Sequence, residues 1–144
     1  MTIKIQRTKT KDIPLIFELG QKIRELKYSK ECPFCEKEEI AEWVSDRKNN
    51  IVLTAKAGDK LVGFLIAKTL SKSWCALDDI AVDKKFRGQG IGNKLLNKLY
   101  EILKKKKINY INVLIGASYK KVRAFWKAKG FKETEKFIWA DKEL

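Results

Sequence analysis

One stretch of the chain, residues 79–93, decides the fold: it reads DIAVDKKFRGQGIGN. Its first four residues are typical of a β-strand, and the apolar residues after its glycines recur at helical spacing. A strand, a glycine turn and a helix start in this order expose several backbone N–H groups at one point. The helix dipole makes that point attractive to phosphate. The stretch therefore predicts a loop that binds a pyrophosphate.

Two common phosphate-binding loops do not fit these glycines. A Walker A loop needs Gly before Lys94 and Ser or Thr after it, whereas the neighbours are Asn93 and Leu95. A Rossmann loop needs a glycine where Asn93 stands, and it needs an acidic residue near position 110 for a ribose. The chain meets neither condition.

The pattern that does fit is Q/R-x-x-G-x-G/A, present as RGQGIG over residues 87–92. Together with DIAV at 79–82 and AFWKAKGF at 124–131, it resembles the GNAT superfamily of acyl-CoA-dependent N-acetyltransferases. The resemblance covers nearly the whole chain. It implies a mixed α/β GNAT fold in which four helices flank a central twisted mixed sheet of about six or seven strands, with residues 1–144 as a single domain.

The resemblance also implies acetyl-CoA as the cosubstrate and tells which residues bind it. The strand backbone would pair with the pantetheine arm like an added strand, and the loop N–H groups would surround the pyrophosphate. Glycines are needed in the loop because a Cβ would block close approach of the backbone to phosphate. The implied contacts are Ile80, Ala81, Val82, Arg87, Gly88, Gln89, Gly90, Ile91, Gly92 and Asn93.

The apolar periodicity predicts the element order β-α-α-β-β-β-α-β-α-β. A helical crossover joins the strands predicted at 74–82 and 109–116, so we expect these two to be parallel neighbours in a largely antiparallel sheet. Asp12 and Ser118 are predicted to cap the first and fourth helices. Residues 131–140 are predicted to form one or two final strands.

The reaction that the resemblance implies is direct transfer of the acetyl group to a primary amine. An alkyl ammonium has a pKa of about 10.4 and must lose a proton before it attacks. Asp78 and Asp79 are the candidate bases, and strand alternation points them to opposite faces. Asp78 is preferred, because the resemblance associates an acidic residue at this place with the amine site. The alternative is an ordinary solvated or salt-bridged aspartate.

The fourth helix departs from the family pattern. The usual N-x-x-x-x-x-Y arrangement, with Tyr as general acid for the CoA thiolate, falls on Lys120 and Trp126. Trp has no proton of useful acidity. Tyr119 and Tyr110 are possible substitutes outside the motif, and for Tyr119 a surface or packing role is favoured.

The chain has 32 Lys and Arg residues against 18 Asp and Glu residues, which gives a net charge of +14. This charge favours an anionic partner, and a CoA cosubstrate accounts for it without nucleic acid. Two alternatives to the enzyme stay open: a basic nucleic-acid-binding module, and a CoA-binding module without turnover. The acceptor amine cannot be identified from the sequence, and a homodimer also stays open.

The cysteines and the apolar runs indicate a cytoplasmic protein. The longest apolar runs are strand-length, too short for a membrane helix, and the first residues do not resemble a signal peptide. Cys32 and Cys35 have C-x-x-C spacing, but the chain has no histidine and only Cys75 besides, so no metal site is expected. A structural role and a reversible disulfide remain alternatives for the pair.

Overall fold

Five strands form one sheet in the computed structural model, which describes residues 2–31 and 33–144. The spatial order follows the chain, and the first four strands pair antiparallel. The last two are parallel neighbours, as the helical crossover predicted. Cys32, and with it the possible disulfide to Cys35, lies outside the described residues. The strands are β1 (Ile3–Arg7), β2 (Asn50–Ala57), β3 (Lys60–Thr69), β4 (Trp74–Val82) and β5 (Tyr110–Val113).

Four α-helices cover the two faces of the sheet, so β2 and β3 are buried along most of their length. The last two helices pack on one face, around Leu65, Leu95 and Leu99. The first two pack on the other face, around Phe64 and Ile16. The helices are α1 (Ile13–Gln21), α2 (Lys37–Ser45), α3 (Ile91–Lys105) and α4 (Lys120–Ala128).

The prediction of one or two strands over residues 131–140 is wrong, which is why the sheet has five strands rather than six or seven. Side-chain contacts, rather than the backbone hydrogen bonds of a β-strand, hold this segment in place. Arg123 on α4 donates from Nε and Nη2 to the two carboxylate oxygens of Glu133, each at 2.8 Å. Further along, the Trp139 ring stacks on Tyr28 with 4.7 Å between centroids. The segment is thereby held against α4 and the loop after α1.

Of the two predicted helix caps, Asp12 does stand at the N-cap position of α1, whereas Ser118 does not stand at that of α4. Asp12 makes no cap hydrogen bond; it is buried, and its Oδ1 lies 3.2 Å from Nζ of Lys56 on β2. Asp12 ends a short 3-10 turn over Thr10–Asp12, and the Lys56 ammonium balances its buried carboxylate. The N-cap residue of α4 is Tyr119 rather than Ser118, and the Lys120 N–H donates to the Ser118 carbonyl in the preceding turn.

Candidate active site

The parallel pairing of β4 with β5 ends at Leu77 and Val113, although β4 continues to Val82. A cavity of about 630 Å³ occupies the opening between the two strands. The end of β4, the start of α3 and the inner face of α4 form its walls. A 3-10 turn over Arg24–Leu26 and the residues around it line the cavity as well.

The glycine loop enters α3 with two residues in the left-handed region. Gly88 and Gly90 both have φ of +78°, and a Cβ added at either one would meet no described atom within 4 Å. The first helical bond of α3 runs from the Lys94 N–H to the Gly90 carbonyl. The N–H groups of residues 91–93 therefore have no helical acceptor, and they lie at the positive end of the dipole. This is the geometry of an anion-binding loop.

Two side chains hold the loop from the side of the strand. The Arg87 Nε donates to the Val82 carbonyl at 3.0 Å, and the Asp83 carboxylate accepts from the Lys85 N–H at 2.9 Å. Of the ten predicted cofactor contacts, Gln89 is exposed and does not line the cavity. The other nine are brought together on the cavity wall: Ile80, Ala81, Val82, Arg87, Gly88, Gly90, Ile91, Gly92 and Asn93.

Asp78 also lines the cavity, at a β-bulge that the sequence did not predict. The register pairs Ile66 with Asp79 and then Ala67 with Leu77, so Asp78 is the extra residue of β4. A bulge interrupts strand alternation and redirects a side chain. Simple strand alternation, which was expected to place Asp78 and Asp79 on opposite faces, therefore does not hold at this point of β4. Of the two, it is Asp78 that lines the cavity.

Asp79 is partly buried beside the segment that leads into α2. Burial and the negative charge of Asp78 together raise the pKa of its carboxyl to about 7, and the positive charge of Lys68 opposes them. Lys68 on β3 contacts the Asp78 carboxylate directly, since its Nζ lies 3.2 Å from Oδ2 of Asp78. Sequence reasoning missed Lys68, because one lysine at the polar end of an apolar strand carries no distinguishing signal.

The residues near the predicted general-acid position are packed together. Trp126 is 5% exposed, lines the cavity and packs against the rings of Phe125 and Phe131. The Tyr119 ring covers Gly116, where an added Cβ would lie 2.5 Å from it. Tyr110 is 58% exposed and packs edge-on against a neighbouring ring. Neither Tyr119 nor Tyr110 lines the cavity.

A tyrosine that the sequence analysis overlooked lines the cavity at the end nearest α1. Tyr28 stacks on Trp139, and Asp141 accepts hydrogen bonds from Ser29 Oγ at 2.5 Å and from Trp139 Nε1 at 2.9 Å. These bonds lower the pKa of the Asp141 carboxyl. The C-terminal segment thus supports this wall of the cavity.

The described residues hold neither a metal-binding cluster nor a membrane-spanning helix. No group of three or more His, Cys, Asp or Glu side chains there is arranged to hold a metal ion. In that same part of the chain, each helix is too short or too polar to cross a membrane.

Comparison with known sequences assigns the chain to a family. The model of the acetyltransferase (GNAT) family matches residues 17–131. The chain is also 30% identical over 99 residues to an uncharacterised N-acetyltransferase of Methanocaldococcus jannaschii. That match covers 65% of this chain but 44% of the relative, so the chain spans less than half of the relative's length.

Solved structures of the same fold cover nearly the whole chain. The PaiA N-acetyltransferase of Thermoplasma acidophilum, in complex with coenzyme A, gives a TM-score of 0.84 at 20% identity, over 95% of this chain and 94% of that one. An aminoglycoside acetyltransferase from an uncultured soil metagenomic sample, in complex with sisomicin, gives a TM-score of 0.78 at 21% identity. That match covers 99% of this chain and 96% of the other. At such identities the similarity shows the fold.

The family model covers most of the chain, so the chain belongs to the GNAT acetyltransferase family. The mixed α/β GNAT fold predicted from the sequence is confirmed, with fewer strands. The acetyltransferase family predicted from the sequence is confirmed.

The raised pKa of Asp79 predicts how the stability of the protein depends on pH. The folded protein binds a proton at Asp79 up to about pH 7, whereas the unfolded chain releases it near pH 3.9. The free energy of unfolding should therefore fall as pH rises from about 4 to 7. Because the chain has no histidine, few other groups titrate in this range. Asp79→Asn should flatten this dependence in urea unfolding measured at pH 4.5 and 7.5, and an unchanged slope would contradict it.

Gly90 is predicted to tolerate no side chain when the cosubstrate binds. Gly90→Gln should abolish acetyl-CoA binding measured by calorimetry, because its Cβ projects where the loop backbone must approach phosphate. Gly58→Gln is the matched control: Gly58 has φ of +62° and open space around an added Cβ, but it lies in the turn between β2 and β3. Both variants should lose about 1 kcal/mol or more of stability. Normal binding by Gly90→Gln would place the pyrophosphate elsewhere.

Proposed function

We propose that this chain transfers the acetyl group of acetyl-CoA directly to a primary amine. The observation that carries the proposal is the cavity between β4 and β5, which has the phosphate-type loop and the Asp78 carboxylate on its walls. The family membership supports the reaction class. The coenzyme A complex of the Thermoplasma acidophilum neighbour supports the choice of cosubstrate.

The cosubstrate would lie along the end of β4 and across the start of α3. Backbone groups of Ile80, Ala81 and Val82 lie beyond the last β4–β5 pair, and an extended pantetheine arm would pair with them as a strand would. The pyrophosphate would accept from the N–H groups of residues 87–93. Lys121 and Lys129 of the cavity wall bring positive charge to the same region. This accounts for part of the chain's basic character.

The Asp78 carboxylate is proposed to prepare the amine. It lines the cavity, and a candidate base is judged first by its position and then by its pKa. Asp78 accepts a proton from the ammonium, and the freed nitrogen bonds to the acetyl carbonyl carbon. The carbon–sulfur bond then breaks, the sulfur leaves as a thiolate, and the nitrogen gives up its second proton to water, which leaves a neutral amide. A thiol with a pKa of about 8.5 is a good leaving group, so no acid is required at the Trp126 position.

The acceptor is proposed to be a primary amine on an apolar body. Ile23, Leu26 and Tyr28 supply apolar surface where the cavity approaches α1. Two acidic residues, Glu25 and Asp78, line the cavity, and Lys68 already neutralises Asp78. A polycation needs several uncompensated carboxylates, so this wall suits a monoamine better than an aminoglycoside such as the neighbour's sisomicin.

The experiment that tests the reaction is an amine panel incubated with acetyl-CoA, with thiol release and acetylated product both measured. Arylalkylamines and peptides with apolar amino-terminal residues should react, and polyamines and aminoglycosides should react more slowly. Tight acetyl-CoA binding with no product from any amine would favour the alternative, a CoA-binding module without turnover. Salt-sensitive oligonucleotide binding without acetyl transfer would favour the nucleic-acid alternative.

Asp78 is predicted to matter more for turnover than its neighbour. Asp78→Asn should lower kcat/KM by about 10² to 10⁴, the range typical of a lost general base. Much of the loss should be recovered at high pH, where free amine accumulates. Asp79→Asn is the matched control, identical in chemistry and one residue away. A larger defect in Asp79→Asn would transfer the role of base to Asp79.

A further inference from the structure

We propose that Lys68 is a positioning residue of this site: its ammonium fixes the Asp78 carboxylate at the cavity wall and lets two adjacent aspartates carry negative charge together. The inference rests on the proposed function, because it assigns a partner to the carboxylate that would prepare the amine. Lys68 itself does not line the cavity, so it acts through Asp78.

Two contacts hold the Lys68 ammonium on different partners. Its Nζ lies 3.2 Å from Oδ2 of Asp78 and 3.9 Å from the centroid of the Trp43 ring on α2. A cation over the face of an indole is attracted by the ring quadrupole. The ammonium thereby links α2 to the bulge of β4, and a lysine free in solvent would have no such fixed position.

The bulge explains why Asp78 needs a partner to fix its direction. Asp78 has no opposing residue on β3, because the register moves from Ile66–Asp79 to Ala67–Leu77. Residues at a bulge lack the regular ladder contacts that orient a side chain. Lys68 is the next β3 residue after Ala67, so its side chain reaches the bulge from the neighbouring strand.

Lys68 opposes the negative charges and the burial that act on the groups around Asp78 and Asp79. Burial, Asp79 and Glu39 together raise the pKa of the Cys35 thiol to about 12, and Lys68 opposes them. The same lysine lowers the pKa of Asp79, which burial and Asp78 raise to about 7. Further charged residues lie on the cavity walls that Asp78 shares: Glu25, Arg87, Lys121 and Lys129.

Loss of the Lys68 charge should shift the titration of the pair in one direction. Two neighbouring carboxylates repel each other, so one of them holds its proton to higher pH unless a cation compensates. Lys68 lowers the pKa of Asp79. Without Lys68, Asp79 therefore holds its proton to higher pH, and less of the protein has both carboxylates ionised at neutral pH.

The test is a pH titration of the free protein. Carbon NMR of the protein, with aspartate labelled at its carboxyl carbon, monitors the titration. Asp78→Asn and Asp79→Asn assign the two signals. Lys68→Met should move the midpoint nearest neutrality upward by about one pH unit, the low end of the range for a lost opposite charge. Lys68→Arg should restore it. Lys37→Met is the matched control, since Lys37 also lies over an aromatic ring, at 5.3 Å from the centroid of Phe17, but away from the pair.

The pH profile of kcat/KM supplies the second readout. In Lys68→Met its acidic limb should move upward by the same amount, and its plateau at high pH should also fall, because Asp78 loses the contact that fixes its position. A merely structural lysine would lower activity equally at every pH and leave both midpoints unmoved, which would overturn the proposal. Lys68→Gln replaces the methionine variant if the latter's spectrum is that of an unfolded chain.

The two proposals fail in different ways. If no amine is acetylated by the wild-type protein, the proposed function fails while the carboxyl titration still decides the role of Lys68. If acetylation is normal but the midpoint in Lys68→Met and Lys68→Gln equals that of the wild type, the lysine has no such role.

Discussion

The separation of β4 from β5 is the constraint on which the site depends. Their parallel pairing stops at Leu77 and Val113, and the strand then continues to Val82. Strand backbone without a neighbour needs other hydrogen-bond partners, and an extended ligand with amide groups can provide them. The same opening lets the start of α3 face the cavity, so one gap between strands positions a backbone edge and an anion-binding helix terminus together.

The two ends of the cavity carry different charges. Near the glycine loop, Arg87, Lys121 and Lys129 lie on the wall with the unbonded N–H groups of α3, and this end suits a polyanionic cosubstrate. Near the bulge, the Asp78 carboxylate is balanced by Lys68. A charge pair of this kind, partly exposed and held by an aromatic ring, contributes little to stability but fixes the place of a carboxylate.

The sequence predicted the local features and missed those that depend on long-range contacts. The glycine pattern predicted the loop, and helical periodicity predicted the crossover that makes β4 and β5 parallel. The bulge at Asp78 was missed because it arises from register with β3, and the role of Lys68 was missed because it depends on that bulge. Residues 131–140 have the alternation of a strand, yet Glu133 and Trp139 bind α4 and the loop after α1 instead.

A crystal structure of the protein with coenzyme A tests the central claim most directly. The account predicts the pantetheine amides paired with the backbone of Ile80–Val82, and the pyrophosphate oxygens within hydrogen-bonding distance of the N–H groups of residues 88–92. The sulfur should lie at the bulge end of the cavity, nearer to Asp78 than to Gly90. Coenzyme A bound on another surface, with the glycine loop making no contact to its phosphates, would contradict the account.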